Sequence, residues 1–162
     1  MNEERTPSND GRPPANDERA LAPQWRLEEL KAEITEALRT GGSGDGRLIE
    51  GRAIAVKASP FRENSARIVV GTSALPPGFV TTPHSHEAEE VAVFLSGSGT
   101  VEIDGVPNRV AAGTVLLTPS NSVHISYSDP GTTPLVALWF YAPPGSEARW
   151  LELAEKGIGR KP

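Results

Sequence analysis

Cysteine is absent from the 162 residues, which excludes disulfides, thiolate metal sites, iron–sulfur clusters and cysteine nucleophiles. Any metal bound here must use histidine, carboxylate or water. Positive charge is in deficit, with 16 Lys and Arg against 21 Asp and Glu for a formal charge of -5. No stretch gathers the cations into a stripe able to neutralise a phosphate backbone, so nucleic acid is not an expected partner. Long apolar runs are also missing. None approaches the roughly 18–20 residues that span a bilayer, and the polar N-terminus lacks the apolar segment of a signal peptide. The expectation is a cytoplasmic protein with no membrane partner.

Glycine and proline, by contrast, are plentiful, 16 and 15 residues, and such punctuation suits short strands joined by turns. The length fits one domain with short appendages. Residues 1–23 hold almost no large apolar side chain and are expected to form a disordered tail, because they bury too little to offset ordering entropy. From Gln24 to Thr40, Trp25, Leu27, Leu30, Ile34 and Leu38 recur at mostly three- and four-residue steps, which predicts an amphipathic helix that docks on another element. GGSGDG at 41–46 lacks the Gly-Lys-Ser/Thr ending of a phosphate loop and reads as a flexible linker, so 24–47 is a helix plus linker.

Runs rich in Val, Ile, Leu, Phe and Thr follow at about 48–58, 66–74, 79–86, 90–96, 99–104, 108–111, 114–118, 123–128 and 134–141. Their turn-rich spacing predicts an all-β barrel or sandwich over 48–142, with Asp104-Gly105 as the best hairpin signal. In 143–162, EARWLELAEK reads as a short C-terminal helix with Ser146 as N-cap and Gly157 as stop.

The chain has three histidines, His84, His86 and His124. In an extended segment His84 and His86 project from one face with Cα atoms about 6.5 Å apart, which suits two imidazoles on one ion. On a helix the same spacing would splay them, and HSH before a loop also reads as an exposed turn. Glu90 keeps strand parity with them but lies about 20 Å from His84 in a fully extended chain, so sharing an ion requires a reversal through Glu87, Ala88 and Glu89. His124 must arrive from elsewhere in the fold. Such an N/O donor set suits Fe(II), Mn, Ni, Co, Zn or Cu(II).

Gly78-x5-His84-x-His86-x3-Glu90-x6-Gly97 and Gly113-x5-Pro119-x-Asn121-x2-His124-x3-Ser128 resemble the two motifs of the cupin superfamily, over roughly residues 48–142. The resemblance implies a double-stranded β-helix (cupin, or jelly-roll) barrel. It implies one divalent transition metal per chain, Fe(II) favoured, held by His84, His86, Glu90 and His124. Asn121 stands where the family usually has glycine; asparagine best tolerates left-handed backbone, so the turn is expected to survive. Ser128 replaces the usual asparagine, with loss of a local hydrogen bond expected. Glu90, Ala92 and Phe94 point inward by parity, leaving Val91, Val93 and Leu95 on a second apolar face that a sheet, the 24–40 helix or another subunit must cover. A homodimer, common among such single-domain proteins, is expected.

Four protein ligands on an octahedral ion leave two open positions, which argues for catalysis on a small oxyanion-bearing substrate. An oxygenase ranks first. Non-redox isomerase, cyclase, lyase or decarboxylase chemistry comes next, and a non-catalytic ligand- or metal-binding module is the third reading. Tyr127, Ser126 and Tyr141 are catalytic candidates, and Phe94, Trp139 and Arg67 are substrate-binding candidates. A Ser/His/Asp triad would need a histidine that the metal already uses.

Overall fold

The computed structural model of the protein describes residues 23–156; all but the last residue of the tail expected over 1–23, and the stop at Gly157, lie outside them. The elements are α1 (Leu27–Thr40), β1 (Gly42–Ser43), β2 (Gly46–Ile49), β3 (Arg52–Ala58), β4 (Val69–Leu75), β5 (Glu89–Ser96), β6 (Ser98–Ile103), β7 (Val106–Ala111), β8 (Val115–Thr118), β9 (His124–Ser128), β10 (Leu135–Ala142) and α2 (Ala148–Glu155). A seven-stranded sheet, in the order β1-β2-β3-β4-β10-β5-β8, faces a three-stranded sheet ordered β7-β6-β9. All strand pairs are antiparallel, and the arrangement fits a jelly-roll barrel. Among the described residues no helix is long and apolar enough to cross a membrane.

Two layers of core explain the burial. Ile54, Val56, Val69, Ala92, Phe94, Val101, Leu135, Trp139 and Tyr141 fill the space between the sheets. On the outer face of the large sheet, Ile34 and Ala37 of α1 pack on Ala53, Ala55, Ala74 and Val136. With both faces covered, every residue of β3 is buried, as alternation alone would not predict. Ile34 is fully buried, a contribution of roughly 1.5–3 kcal/mol. Surface pairs such as Arg39–Glu36 are solvent-screened and add little, so packing fixes the helix.

The expected helix face is shifted: Leu30, Ile34 and Ala37 are buried, whereas Trp25 and Leu27 are exposed. The linker expected at 41–46 is instead the β1–β2 hairpin, with Gly42 paired to Arg47. Gly46 permits it, because a Cβ there would lie 2.6 Å from that of Ala37; glycine serves close approach here, not flexibility. Asp45 and Glu33 then share the Lys57 ammonium at 2.9 and 3.0 Å, joining the hairpin and α1 to β3.

The run at 48–58 is broken by a turn at Glu50-Gly51 into β2 and β3. The run at 79–86 forms only two isolated bridges, Val80 with Tyr127 and His84 with His124; Pro83 has no N–H to give a ladder. Asp104 and Gly105 both take positive φ, 48° and 80°, in the β6–β7 hairpin, the geometry of a primed turn. Ser146 does not cap α2, whose N-cap is Glu147 without a side-chain bond. Its hydroxyl accepts the Ala88 N–H instead, at 3.4 Å.

Candidate metal centre

The site begins as a main-chain arrangement. His84 and His124 exchange both backbone hydrogen bonds, 3.2 and 2.8 Å, which sets their side chains beside each other on one face. The His86 carbonyl accepts the Asn121 N–H at 2.8 Å. Asn121 makes this bond from the left-handed region, φ 61°, so the residue standing in the usual glycine slot adopts the glycine-like turn. Between His86 and Glu90 the chain bends at Glu87-Ala88, where Ser120 Oγ donates to the Glu87 carbonyl at 2.6 Å. Glu90 then enters β5 opposite Thr118 and Tyr141.

Each imidazole is held by the same device. Nδ1 faces a main-chain carbonyl: Thr82 for His84 at 2.9 Å, Ala88 for His86 at 2.8 Å and Ser122 for His124 at 3.0 Å. A carbonyl only accepts, so Nδ1 carries the proton and a neutral ring keeps a bare lone pair on Nε2. Donor atoms of the three rings lie within 4.8 Å of one another. Glu90 Oε2 stands 3.2 Å from His86 Nε2 and 3.8 Å from His124 Nε2. His124 Nε2 is buried with no hydrogen-bond partner among the described residues, an orphaned lone pair that a cation would satisfy. Three imidazole nitrogens and one carboxylate are a fitting donor set for a divalent transition metal.

The charges favour neutral rings at His84 and His124 and a protonated ring at His86. Burial, then the neighbouring His124, pushes the His84 imidazole down to about 4. Burial also holds His124 below the ordinary imidazole value. For His86 burial works in the same direction, but hydrogen bonding to Glu90 and Ala88 and the Glu90 charge outweigh it, and the ring is held above that value. A proton on His86 thus occupies the place of positive charge between it and Glu90.

A small cavity of about 70 Å³ opens beside these donors, lined by Arg52, Ser73, His84, Glu90, His124, Ser126, Trp139, Tyr141 and Trp150 among others. A second lobe of about 60 Å³ shares Glu90, His124 and Ser126 and reaches Phe94 and Leu116. The fold therefore brings Ser126, Tyr141, Phe94 and Trp139 to the barrel interior with the three histidines and Glu90. Trp139 stacks on Tyr141 at 4.6 Å and lies where a side chain at Gly71 would be, 2.1 Å from that Cβ position.

Two candidates lie elsewhere. Arg67 is exposed in the bend before β4, because that strand starts three residues later than the apolar run at 66–74. Tyr127 sits at the odd position of β9, pairing with Thr100 and bridging Val80, away from the face that carries His124 and Ser126. Ser128 keeps its hydrogen bonding, donating to the Pro76 carbonyl at 2.5 Å and accepting the Phe79 N–H at 2.9 Å. Sequence reasoning missed Arg52 and Trp150. The signal for Arg52 was its strand phase, since a charged residue in step with Ile54 and Val56 has to face the interior.

Residues 71–141 match the family model of the cupin domain, Cupin_2. A stretch of 63 residues is 38% identical to the dimethylsulfoniopropionate lyase DddW of Ruegeria pomeroyi, covering 39% of this chain and 41% of that protein. The structure of KdgF from a Halomonas species is similar with a TM-score of 0.53 at 20% identity, over 65% of this chain and 91% of that one. An RmlC-like cupin from Shewanella frigidimarina is similar with a TM-score of 0.51 at 16% identity, over 60% and 81%. At these identities the two structures bear on the fold alone.

Proposed function

Residues 71–141 match the cupin domain, and from that premise we propose that the chain is a metal-dependent cupin lyase acting on a small carboxylate-bearing substrate. The observation that carries the reading is the set of three inward Nε2 lone pairs and the Glu90 carboxylate at the edge of a small cavity. In this reading His84, His86, Glu90 and His124 hold one divalent metal. When bound, the metal supplies Lewis acidity toward a substrate oxygen.

The protein's own groups shape the rest. Trp139, Tyr141 and Trp150 wall the cavity. Trp150 Nε1 donates to the Tyr141 hydroxyl at 3.4 Å, so the phenol proton remains free for a substrate oxygen. Burial, and then the Glu90 charge, push the Tyr141 phenol up. Tyr141 therefore acts as a hydrogen-bond donor and not as a resting base.

Oxygenase chemistry ranked first on sequence; the similarity to a lyase tips the order. Dimethylsulfoniopropionate is accordingly the first substrate to assay. Loss of a proton next to its carboxylate with C–S cleavage gives dimethyl sulfide and acrylate, and no oxidant is needed. Anaerobic turnover that depends on added metal, followed by proton NMR across this and other short carboxylates, is the expected result. Metal-dependent oxygen uptake coupled to turnover, or tight binding without anaerobic turnover of any of them, overturns the lyase assignment.

A further inference from the structure

Arg52 opens β3 directly after the Glu50-Gly51 turn, in phase with Ile54 and Val56 of the interior. It is only 7% exposed. Its Nε is buried and has no hydrogen-bond partner among the described residues. Arg39, Arg62, Arg109 and Arg149 are all more exposed, and each pairs with a carboxylate. Glu50, the acid nearest to Arg52 in sequence, is taken by Arg149 at 3.1 Å. Among the described residues, the well-buried Arg52 guanidinium thus lacks the carboxylate partner that these four have.

Burying a charge without a partner is strongly unfavourable, and guanidinium cannot escape by losing its proton at ordinary pH. The packing nevertheless holds it there. The guanidinium lies over the Trp150 ring, 4.9 Å from its centroid, and lines the same cavity as His84, Glu90 and His124. The Trp150 ring, which Arg149 also approaches at 5.1 Å, holds the guanidinium at the cavity wall, where its N–H groups can meet a ligand.

We propose that Arg52 is the anchor for the substrate's carboxylate, taking it in a two-point ion pair while the remainder of the substrate faces the histidine and Glu90 donors. This deepens the proposed function and rests on its reading of the cavity as a substrate pocket. The small cavity, about 70 Å³, suits a short-chain carboxylate. Arg52 then selects for the anion and orients it; it moves no proton.

The test uses the full-length chain, metal-free after chelation and again after zinc loading, titrated with propionate and with its neutral isostere propionamide by ligand-observed NMR. Propionate should bind in both states and propionamide about tenfold or more weakly, as loss of a charge-assisted bond implies. Arg52→Lys keeps the charge and the aliphatic stem but not the fork, and should weaken propionate by about tenfold. Arg52→Met should abolish detectable binding, while Arg67→Met leaves it unchanged. Zinc stoichiometry and thermal unfolding establish that each variant is folded. Equal affinities for the two probes, no propionate binding by the unaltered chain up to the millimolar range, or folded Arg52→Lys binding propionate as well as the parent, overturns the anchor. Propionate held by Arg52 without lyase turnover would remove the lyase and leave the anchor standing. Turnover with a KM indifferent to Arg52→Lys would do the reverse.

Discussion

His84 and His124 lie far apart along the chain yet exchange both main-chain hydrogen bonds, 3.2 and 2.8 Å, and their rings are 4.2 Å apart between centroids. The bridge makes the ligand geometry a property of backbone pairing and leaves little to side-chain freedom. Removing one ring should therefore leave the others in place. His86→Ala and His124→Ala are expected to fold but to weaken metal binding by more than about a hundredfold, because loss of even a supporting partner costs about 10–100-fold. Metal analysis after equilibrium dialysis measures it, and unchanged stoichiometry and affinity would remove these residues from the site.

Burial, opposed at His86 by its bonds to Glu90 and Ala88, sets an order of titration in the metal-free chain. His84 is held at about 4, His124 below the ordinary value and His86 above it. With only three histidines, proton NMR resolves each in turn, and His86 should titrate at the highest pH. For stability the signs oppose. The His84 contribution is complete above about 6.5 and is lost as pH falls toward about 4, because the unfolded chain takes the proton first. The His86 contribution is complete below about 6.5 and is lost as pH rises through its elevated value. A metal-free chain in which His84 titrates highest would contradict both assignments.

Trp139 stands on Gly71, where any Cβ would fall 2.1 Å from the indole. Gly71→Ala should displace the ring and destabilise the fold by about 1–3 kcal/mol, the usual scale of overpacking. Chemical denaturation gives the stability and near-ultraviolet circular dichroism the ring environment. A variant with parental values in both would show that the sheet absorbs the methyl group.

Asn121 holds the His86 carbonyl from φ 61°. Asn121→Gly should be nearly neutral, whereas Asn121→Val should cost about 1–2 kcal/mol for a β-branched residue in left-handed backbone and weaken metal binding through His86. Equal melting temperatures for the two variants would show that the turn relaxes at no cost.

The outer face of β5 and β8 leads to an assembly prediction. Val91 pairs with Leu117 and Val93 with Val115, and Val115 and Leu117 are 64% and 53% exposed, while α1 covers the neighbouring strands. We expect a homodimer that buries this stripe, dissociated by the double substitution Val115→Glu and Leu117→Glu. Light scattering of a monomer at micromolar concentration would refute it.

What could be read in the sequence were features governed by local backbone rules. Asp104-Gly105, Gly97 and Gly113 all take the positive φ that their turns require. The phase of Glu90, Ala92 and Phe94 followed from the period of a strand, and Ala92 and Phe94 are buried as it demanded. Glycine at 41–46 was ambiguous because a loose tether and a hairpin pressed against a helix use the same residue; Ala37 beside Gly46 decides between them, and that contact is tertiary. Arg67 and Arg52 were confused for a similar reason. The apolar composition of 66–74 suggested a strand through Arg67, yet the ladder begins at Val69. Arg52 lay in a run assigned to the barrel, but its neighbour Trp150 comes from a helix whose docking no local pattern discloses.

Trp150 belongs to α2, downstream of all four metal donors, and still walls the cavity beside Arg52. During synthesis the donors are therefore complete once β10 has emerged, whereas the recess that sorts ligands closes only when α2 folds back. On the proposed reading, a nascent chain paused between those points would hold the four donors before Trp150 had joined Arg52 at the cavity wall.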